Sequence, residues 1–502
     1  MTFRIATSQA KCRAALLACI LLCGLIAACG RNSDAAAKAN ALELTVLSPH
    51  GTDIRREFGE AFSKWHEAKY GVPVVVEWPD IGGGGTGNII KTLNKAYQYH
   101  DTSGYDVVFG GGSAAMNGLA TADGGKGFLM RPLPVAEGEE DTLAALPADI
   151  FGRPLREKNG LWVAATMSNF GIEVNKDRVA ELGLKMPRVW EDIAGPEWIG
   201  RLSLADPAKS GSVKTSYEMI FQQYGWEKGW AVITRLFANA AMVREGGANP
   251  ADDTGSADAV AGIVIDFYGR LAVLRAGESI LTFVTPEGGT TPDPDPIAIL
   301  KGAPHAELAS RFVRFVVSPD GQRLWTHRAG TPGGPRRNTL GRLSVLPWLY
   351  EKESAFMFDP TSPFIAAATM GDASTREARE KEKNARDKYI GELIKAALID
   401  NQPELAKARR AIHAAGDRPE LLAMLTALPT FVPSSVNAKG ELEYGSARTI
   451  DNASLGAVAE EFNPREKAKA GYAERLQNGL RDHWRETFAK RFADVERLAR
   501  TK

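Results

Sequence analysis

Leu42-Glu43-Leu44-Thr45-Val46-Leu47-Ser48-Pro49-His50-Gly51 opens with six residues that read as a β-strand and ends in a turn that feeds a helix. Working outward, Asp53 to Lys69 puts Ile54, Phe58, Ala61, Phe62 and Trp65 on one face at helical spacing. Val72 to Trp78 reads as a second strand and Asn88 to Tyr99 as a second helix, with Ile89, Ile90, Leu93, Ala96 and Tyr97 as its apolar stripe. Tyr105 to Phe109 is a third strand, so the chain begins βαβαβ. Strands alternating with helices predict a mainly parallel sheet covered on both faces, an α/β fold in which ligands bind beyond the carboxyl ends of the strands. Glycine-rich turns follow those ends: Ser48 to Gly51, Gly82 to Gly87, and Gly110-Gly111-Gly112-Ser113. Each lets backbone approach a ligand and presents helix N–H groups to an anion.

A second α/β block is expected from Leu161 to Phe267. Leu161–Thr166 and Gly171–Val174 read as strands passing from the first unit to the second, Arg201–Ala205 and Ile263–Phe267 as further strands with helices between them, and the chain is expected to return to the first unit through Ser279 to Val284. Ser318-Pro319 is a helix start, a capping hydroxyl followed by proline at the first helical position. Beyond Leu340 come charged helical stretches at Arg376–Leu398, Pro403–Ala415 and Pro464–Arg500, where Phe488, Phe492, Val495 and Leu498 form a stripe. That pattern fits a helical appendage packed on a lobe, or a partner-binding arm.

The amino-terminus is an address. Arg4, Lys11 and Arg13 precede an apolar run from Ala14 to Ala28, shorter than the roughly 20 residues that span a bilayer, which is the layout of a secretory signal peptide. The four cysteines are Cys12, Cys19, Cys23 and Cys29, so the body after processing has no thiol pair for a disulfide or a cysteine zinc site. With 61 basic and 61 acidic residues the chain has no net field to favour nucleic acid.

Several segments carry a family resemblance. Ile26-Ala27-Ala28-Cys29-Gly30 resembles the bacterial lipobox, which implies acylation of Cys29 and a membrane-anchored, exported protein at the periplasm or cell surface, with residues 29–41 as a tether. Asn159-Gly160-Leu161-Trp162 with Phe170 to Asp177, Pro187 to Ile193 with Pro196-Glu197-Trp198, Ala205 to Ser212, Lys301 to His305 and Ser318 to Gln322 follow one another in a familiar order. From Glu43 to Pro335 the chain resembles the extracellular solute-binding proteins of ABC importers, in the branch that includes binders of ferric iron, phosphonates and sugar phosphates. The resemblance implies a two-lobed, periplasmic-binding-protein-like (type II) fold with a helical C-terminal extension. It divides the chain into a signal peptide at 1–28, a first lobe from 42–165 with 275–340, a second lobe from 166–274, and the extension from 341–502. It also implies a small-molecule or ion solute in the interlobe cleft and a permease partner, with no catalysis and no cofactor.

Each candidate ligand contact has a plainer reading. Ser210, Gly211 and Ser212 suit a phosphate or carboxylate, or simply cap a helix. Gly111, Gly112 and Ser113 stand likewise in the first lobe, beside Ser48, His50 and Gly51, with Ser168 at the crossover. Asp266 and Tyr268 end a strand and suit a cationic group or metal, or a buried tyrosine with a satisfied hydroxyl. Glu287 and Gly288 close the pocket, or form a turn. Ferric binders in this branch use adjacent tyrosines, and no Tyr-Tyr pair occurs here, so iron is the alternative and no metal is expected. An exported enzyme or a surface interaction protein is the alternative of another class. Gly82, Gly84 and Gly87 satisfy GxGxxG, but the acidic residue expected at the end of the next strand is missing, and Gly111-Gly112-Ser113-Ala114-Ala115 fails GxSxG at its last position.

Overall fold

The protein was analysed as a computed structural model, which describes residues 40–81, 85–135, 137–150, 152–366, 373–437, 441–463 and 472–501. The signal peptide, Cys29, nearly all of the tether, and Gly82 and Gly84 lie outside the described residues. Two mixed sheets organise the rest. The first runs β2-β1-β3-β13-β4, with β7 also paired to β13. Its parallel half is β1 (Leu42–Leu47), β2 (Val74–Glu77) and β3 (Val107–Phe109). These are joined by helices α1 (Thr52–Tyr70) and α2 (Thr86–Tyr99), and β3 runs on into α3 (Ser113–Ala120). β4 (Leu129–Met130), β7 (Val163–Ser168) and β13 (Asp293–Leu300) add antiparallel pairs, and a short hairpin of β5 (Asp149–Ile150) and β6 (Arg153–Pro154) lies between β4 and β7. Leu44 and Val46 point into a core with Phe58, Phe62 and Phe312, which is the α1 stripe read from the sequence.

The second sheet runs β10-β9-β11-β8-β12. Its strands are β8 (Phe170–Asn175), β9 (Leu202–Ala205), β10 (Ala240–Arg244), β11 (Ala261–Ile265) and β12 (Leu281–Val284). Four helices accompany them: α4 (Lys176–Glu181), the long α5 (Gly211–Ala238), α6 (Asn249–Gly255) and α7 (Asp266–Ala276). Gly225, with φ of 77°, kinks α5. β8 is buried at every position, and Phe170, Ile172 and Val174 face the same core as α5. Gly171, Glu173 and Asn175 therefore face the other side, where Asn175 Nδ2 donates to the Thr254 carbonyl on α6.

Two expectations need correction. Leu281–Val284 does not return the chain to the first sheet; it pairs antiparallel with β8. Gly277, with φ of 97°, ends α7, and its carbonyl accepts the Ile280 and Leu281 N–H groups, a tight turn that leads directly into β12 beside β8. β13 makes the return instead. Nor does the extension start at 341, because Leu343, Val345, Leu346, Leu349 and Met357 are buried in the first lobe's core with α8 (Ala306–Val317) and α9 (Pro319–Thr326). The Ser318 hydroxyl caps α9 through the Gly321 N–H, as the Ser-Pro start predicts.

Phe364 still packs against the first lobe's core, and the helices from Ala373 onward belong to the second lobe's side. The main helices there are α10 (Ala373–Arg386), α11 (Ile390–Ile394), α12 (Gln402–Ala414), α13 (Pro419–Leu425), α14 (Leu455–Phe462) and α15 (Tyr472–Arg500). Trp484, Phe488, Phe492 and Val495 share one core with Trp226 and Trp230 of α5. Trp226 Nε1 donates to the Ile450 carbonyl at 2.6 Å, and the buried Arg386 pairs with Glu218 at 2.5 Å. The apolar stripe of the last helix is thus spent inside the molecule. No helix among the described residues is long and apolar enough to cross a membrane.

Candidate functional site

The chain crosses between the lobes three times: at Ser168–Phe170, along Thr285–Pro292, and again beyond Phe358 on the way to the extension. The first crossing is where the candidate residues gather. Gly110, Gly111 and Gly112 all have positive φ (92°, 110° and 82°), and a Cβ on Gly110 would stand 2.6 Å from His50 Nε2. Only glycine lets this turn close on the histidine. The resulting N–H groups of Gly111 and Gly112 point at one acceptor, Asp295 Oδ1, at 2.9 and 3.1 Å. Asp295 Oδ2 takes Arg342 Nη1 at 2.8 Å and lies 3.0 Å from His50 Nε2. Burial pushes the Asp295 carboxyl up, but Arg342 and His50 outweigh it and hold the group well below the usual carboxylate range. The anion-binding turn expected to face a solute therefore already holds an internal carboxylate.

Arg342 extends the network. Its Nη2 donates to Ser168 Oγ at 2.7 Å, and its guanidinium lies 4.9 Å from the ring centre of Phe267, a residue of the second lobe. Next to Ser168, the Asn169 carbonyl accepts the Asp266 N–H at 2.9 Å. A continuous path thus runs from His50 through Arg342, Ser168 and Asn169 to Asp266. Along it, His50 Nδ1, Arg342 Nε and Asn169 Oδ1 are buried without a hydrogen-bond partner among the described residues, and the buried Asp266 carboxylate has the backbone N–H groups of Asn169 and Phe267 beside it. Asp266 is 0 % exposed, and its neighbouring cation is Arg270, 3.3 Å away but outside hydrogen-bond geometry. Burial pushes the Asp266 carboxyl up, with Arg270 opposing. His50 is pushed down by burial, so it sits neutral, and in either tautomer its Nδ1 lacks a partner.

The remaining candidates are placed elsewhere or are already engaged. Ser48 Oγ donates to the Phe109 carbonyl at 2.7 Å and accepts the His50 N–H, which fixes the turn. Gly51 and Ser113 begin α1 and α3. Ser210 Oγ caps α5 through Val213 and contacts Ser212 Oγ at 3.1 Å, and Gly211 starts that helix. Tyr268 lies tilted against Phe267 with ring centres 4.1 Å apart. Glu287 pairs with the exposed Arg188 at 2.6 Å and, with Gly288, borders a separate cavity along β12. Among the described residues no group of three or more His, Cys, Asp and Glu side chains is placed to hold a metal.

Sequence reasoning missed Asp295, Arg342 and Asn169. Asp293-Pro294-Asp295-Pro296 carried a signal, because carboxylates at alternate positions of a strand share one face. Arg342 carried none.

Residues 139–342 match the family of bacterial extracellular solute-binding proteins. Over those residues the chain is similar to that family. The match ends on Arg342 and contains Ser168, Asn169, Asp266 and Asp295. The two lobes expected from the sequence are present as two mixed sheets accompanied by helices. The chain is similar to the phosphoglycerate transport regulatory protein PgtC of Salmonella typhimurium, with 26% identity over 300 residues, 59% of this chain and 68% of that protein. An uncharacterized protein of Haemophilus influenzae is 28% identical over 175 residues, 35% of this chain and 50% of that one. Among solved structures, the periplasmic binding protein AfuA of Actinobacillus pleuropneumoniae, with fructose-6-phosphate bound, aligns over 68% of this chain and 97% of its own at 21% identity and a TM-score of 0.47. Iron-bound HitA of Pseudomonas aeruginosa aligns over 68% and 99% at 19% identity and a TM-score of 0.45.

Proposed function

We propose that this protein is an exported solute-binding lipoprotein, anchored through Cys29, that captures a small hydroxylated anion between its lobes and delivers it to an ABC permease. The observation that carries the reading is the set of buried, unpartnered polar atoms on the path from His50 to Asp266. Leaving such atoms unpaired costs about 1–3 kcal/mol each, a penalty that a bound solute removes. Their chemistry also selects. Arg342 Nε donates, Asn169 Oδ1 and the Asp266 carboxylate accept, and His50 Nδ1 does either, so the solute needs both an anionic or acceptor end and hydroxyl donors. Similarity to a phosphoglycerate transport protein supports a phosphorylated or carboxylated hydroxy acid. The matched family is one of binding proteins, which supports capture without bond making.

Thermal unfolding of residues 30–502 with 3-phosphoglycerate, fructose 6-phosphate, a phosphonate, ferric citrate and neutral sugars tests this. A hydroxylated anion at one hundred times its dissociation constant should add about 2.7 kcal/mol. A response to ferric citrate alone, or to none of the panel, would refute the solute class. Anchoring is tested separately: Cys29→Ser in the full chain should move the protein from the membrane to the soluble fraction, and unchanged fractionation would overturn the lipoprotein reading.

A further inference from the structure

A cavity of about 920 Å³ runs along the free edge of β12 and meets the interlobe path only at Asn169 and at Arg270, the neighbour of Asp266. It begins near Lys176 and Glu278, where β12 starts, and ends at the crossing residues Asn169 and Thr290. Phe358 to Pro363 forms its outer wall. We propose that this groove is a second binding site, and that it takes a zwitterionic α-amino acid with an apolar side chain.

The argument starts from charge. Arg270 and Asp359 face each other in the groove with Nη2 and Oδ2 2.9 Å apart, and their side chains are 8 % and 26 % exposed. Glu287 at the rim is held by Arg188, and Lys176 Nζ donates to the Glu278 carbonyl. A solute that carries only an anion would have to strip Asp359 from Arg270 and leave that carboxylate without its counterion, which is the expensive outcome. A simple cation on Asp359 would leave Arg270 with Asp266, 3.3 Å from Nη1, but would give Nη2 no acceptor in place of Asp359. A zwitterion that inserts between them gives its carboxylate to the guanidinium and its ammonium to the carboxylate, so every charge keeps a partner. Geometry supplies the other half of the recognition. The Phe283 ring lies 5.8 Å from the Arg270 guanidinium, and Phe358, Val273 and Leu281 extend an apolar wall beside it. Volume and the mix of apolar wall with a few charged groups are those of small-molecule sites.

The test uses residues 30–502 and needs no knowledge of the interlobe solute, so its failure is separable from failure of the function above. L-Leucine and L-phenylalanine are compared with 3-phenylpropionate, which lacks the ammonium, and phenethylamine, which lacks the carboxylate, by calorimetric titration and thermal unfolding. Binding is expected for the two amino acids and not for the half-molecules. Asp359→Asn should weaken L-phenylalanine by about tenfold or more while improving 3-phenylpropionate, since a charged hydrogen bond contributes about 1.5–3 kcal/mol. Thr361→Trp, at an exposed position of the rim, should abolish binding without moving the urea midpoint. The proposal falls if neither amino acid binds, if either half-molecule binds as well, or if binding survives Thr361→Trp.

Discussion

Replacing Arg342 with methionine is expected to lower stability by about 3–5 kcal/mol, read as a fall in the urea midpoint, because it leaves the carboxylate of Asp295 buried without its cation. The contacts explain the size. Arg342 is 4 % exposed, donates to Asp295 and Ser168, and packs against the rings of Trp325 and Phe267. Burial holds His50 below its usual range, which leaves Arg342 as the main counter-charge of Asp295. A second substitution separates the buried charge from simple loss of packing. Asp295→Asn alone strands the guanidinium, but Asp295→Asn combined with Arg342→Met removes both charges, so the double variant should be more stable than the sum of the single effects predicts by about 1–3 kcal/mol. Additive effects would show that Arg342 acts through packing alone. Solute binding provides an independent readout: the double variant should fold yet fail to bind the hydroxylated anion that stabilises the parent, because Arg342 Nε is a donor of the proposed site. Retained binding would remove Arg342 from that site and leave its role purely structural.

The βαβαβ opening was legible because the apolar faces of α1 and α2 repeat at helical spacing and the strands between them are short and β-branched. The glycine turn after β3 was legible too, since three adjacent glycines mark a backbone no other residue adopts. What occupies that turn was not. Asp295 lies 184 positions from Gly111, and nothing local to either residue indicates that the carboxylate will reach the amides. Arg342 is hidden for a similar reason, as a lone arginine in a loop carries no periodicity, and its burial exists only once β13, the first crossing and α7 have met. The misplacement of Leu281–Val284 has a different origin. A four-residue alternating strand fits the edge of either sheet equally well, and the choice is made by the short turn at Gly277 that holds it beside β8. The extension shows the opposite behaviour: its stripe of Phe488, Phe492 and Val495 was visible, but the partner face on α5 was not, because α5 is apolar nearly all round and displays no preferred side.

Glu173→Gln is expected to abolish a large part of the loss of stability that the protein shows as pH rises from about 5 to about 8. Glu173 stands in the middle of β8, 0 % exposed, with neither carboxyl oxygen hydrogen-bonded, and Gly262 and Phe283 pair with it on the two neighbouring strands. Burial, helped by the negative charge of Asp252, pushes its carboxyl up to about 9. The folded chain therefore binds a proton that the unfolded chain releases near 4.5. Its pKa is raised on folding, so the contribution is fully present below 4.5 and is lost as pH rises toward 9. At about 1.36 kcal/mol per unit, roughly 4 kcal/mol should disappear between about pH 5 and pH 8. The buried histidines act in the other direction. His50, His66, His327 and His483 are all pushed down by burial, so their contribution is present above their unfolded pKa and fades as pH falls. Parent and variant share those histidines, so the difference between their urea midpoints at pH 5 and pH 8 isolates the carboxyl. The variant, whose amide does not titrate, should gain on the parent steadily across that range. Parallel pH profiles would mean that Glu173 is ionised in the fold and that a cation or ordered solvent reaches it between β8 and α6.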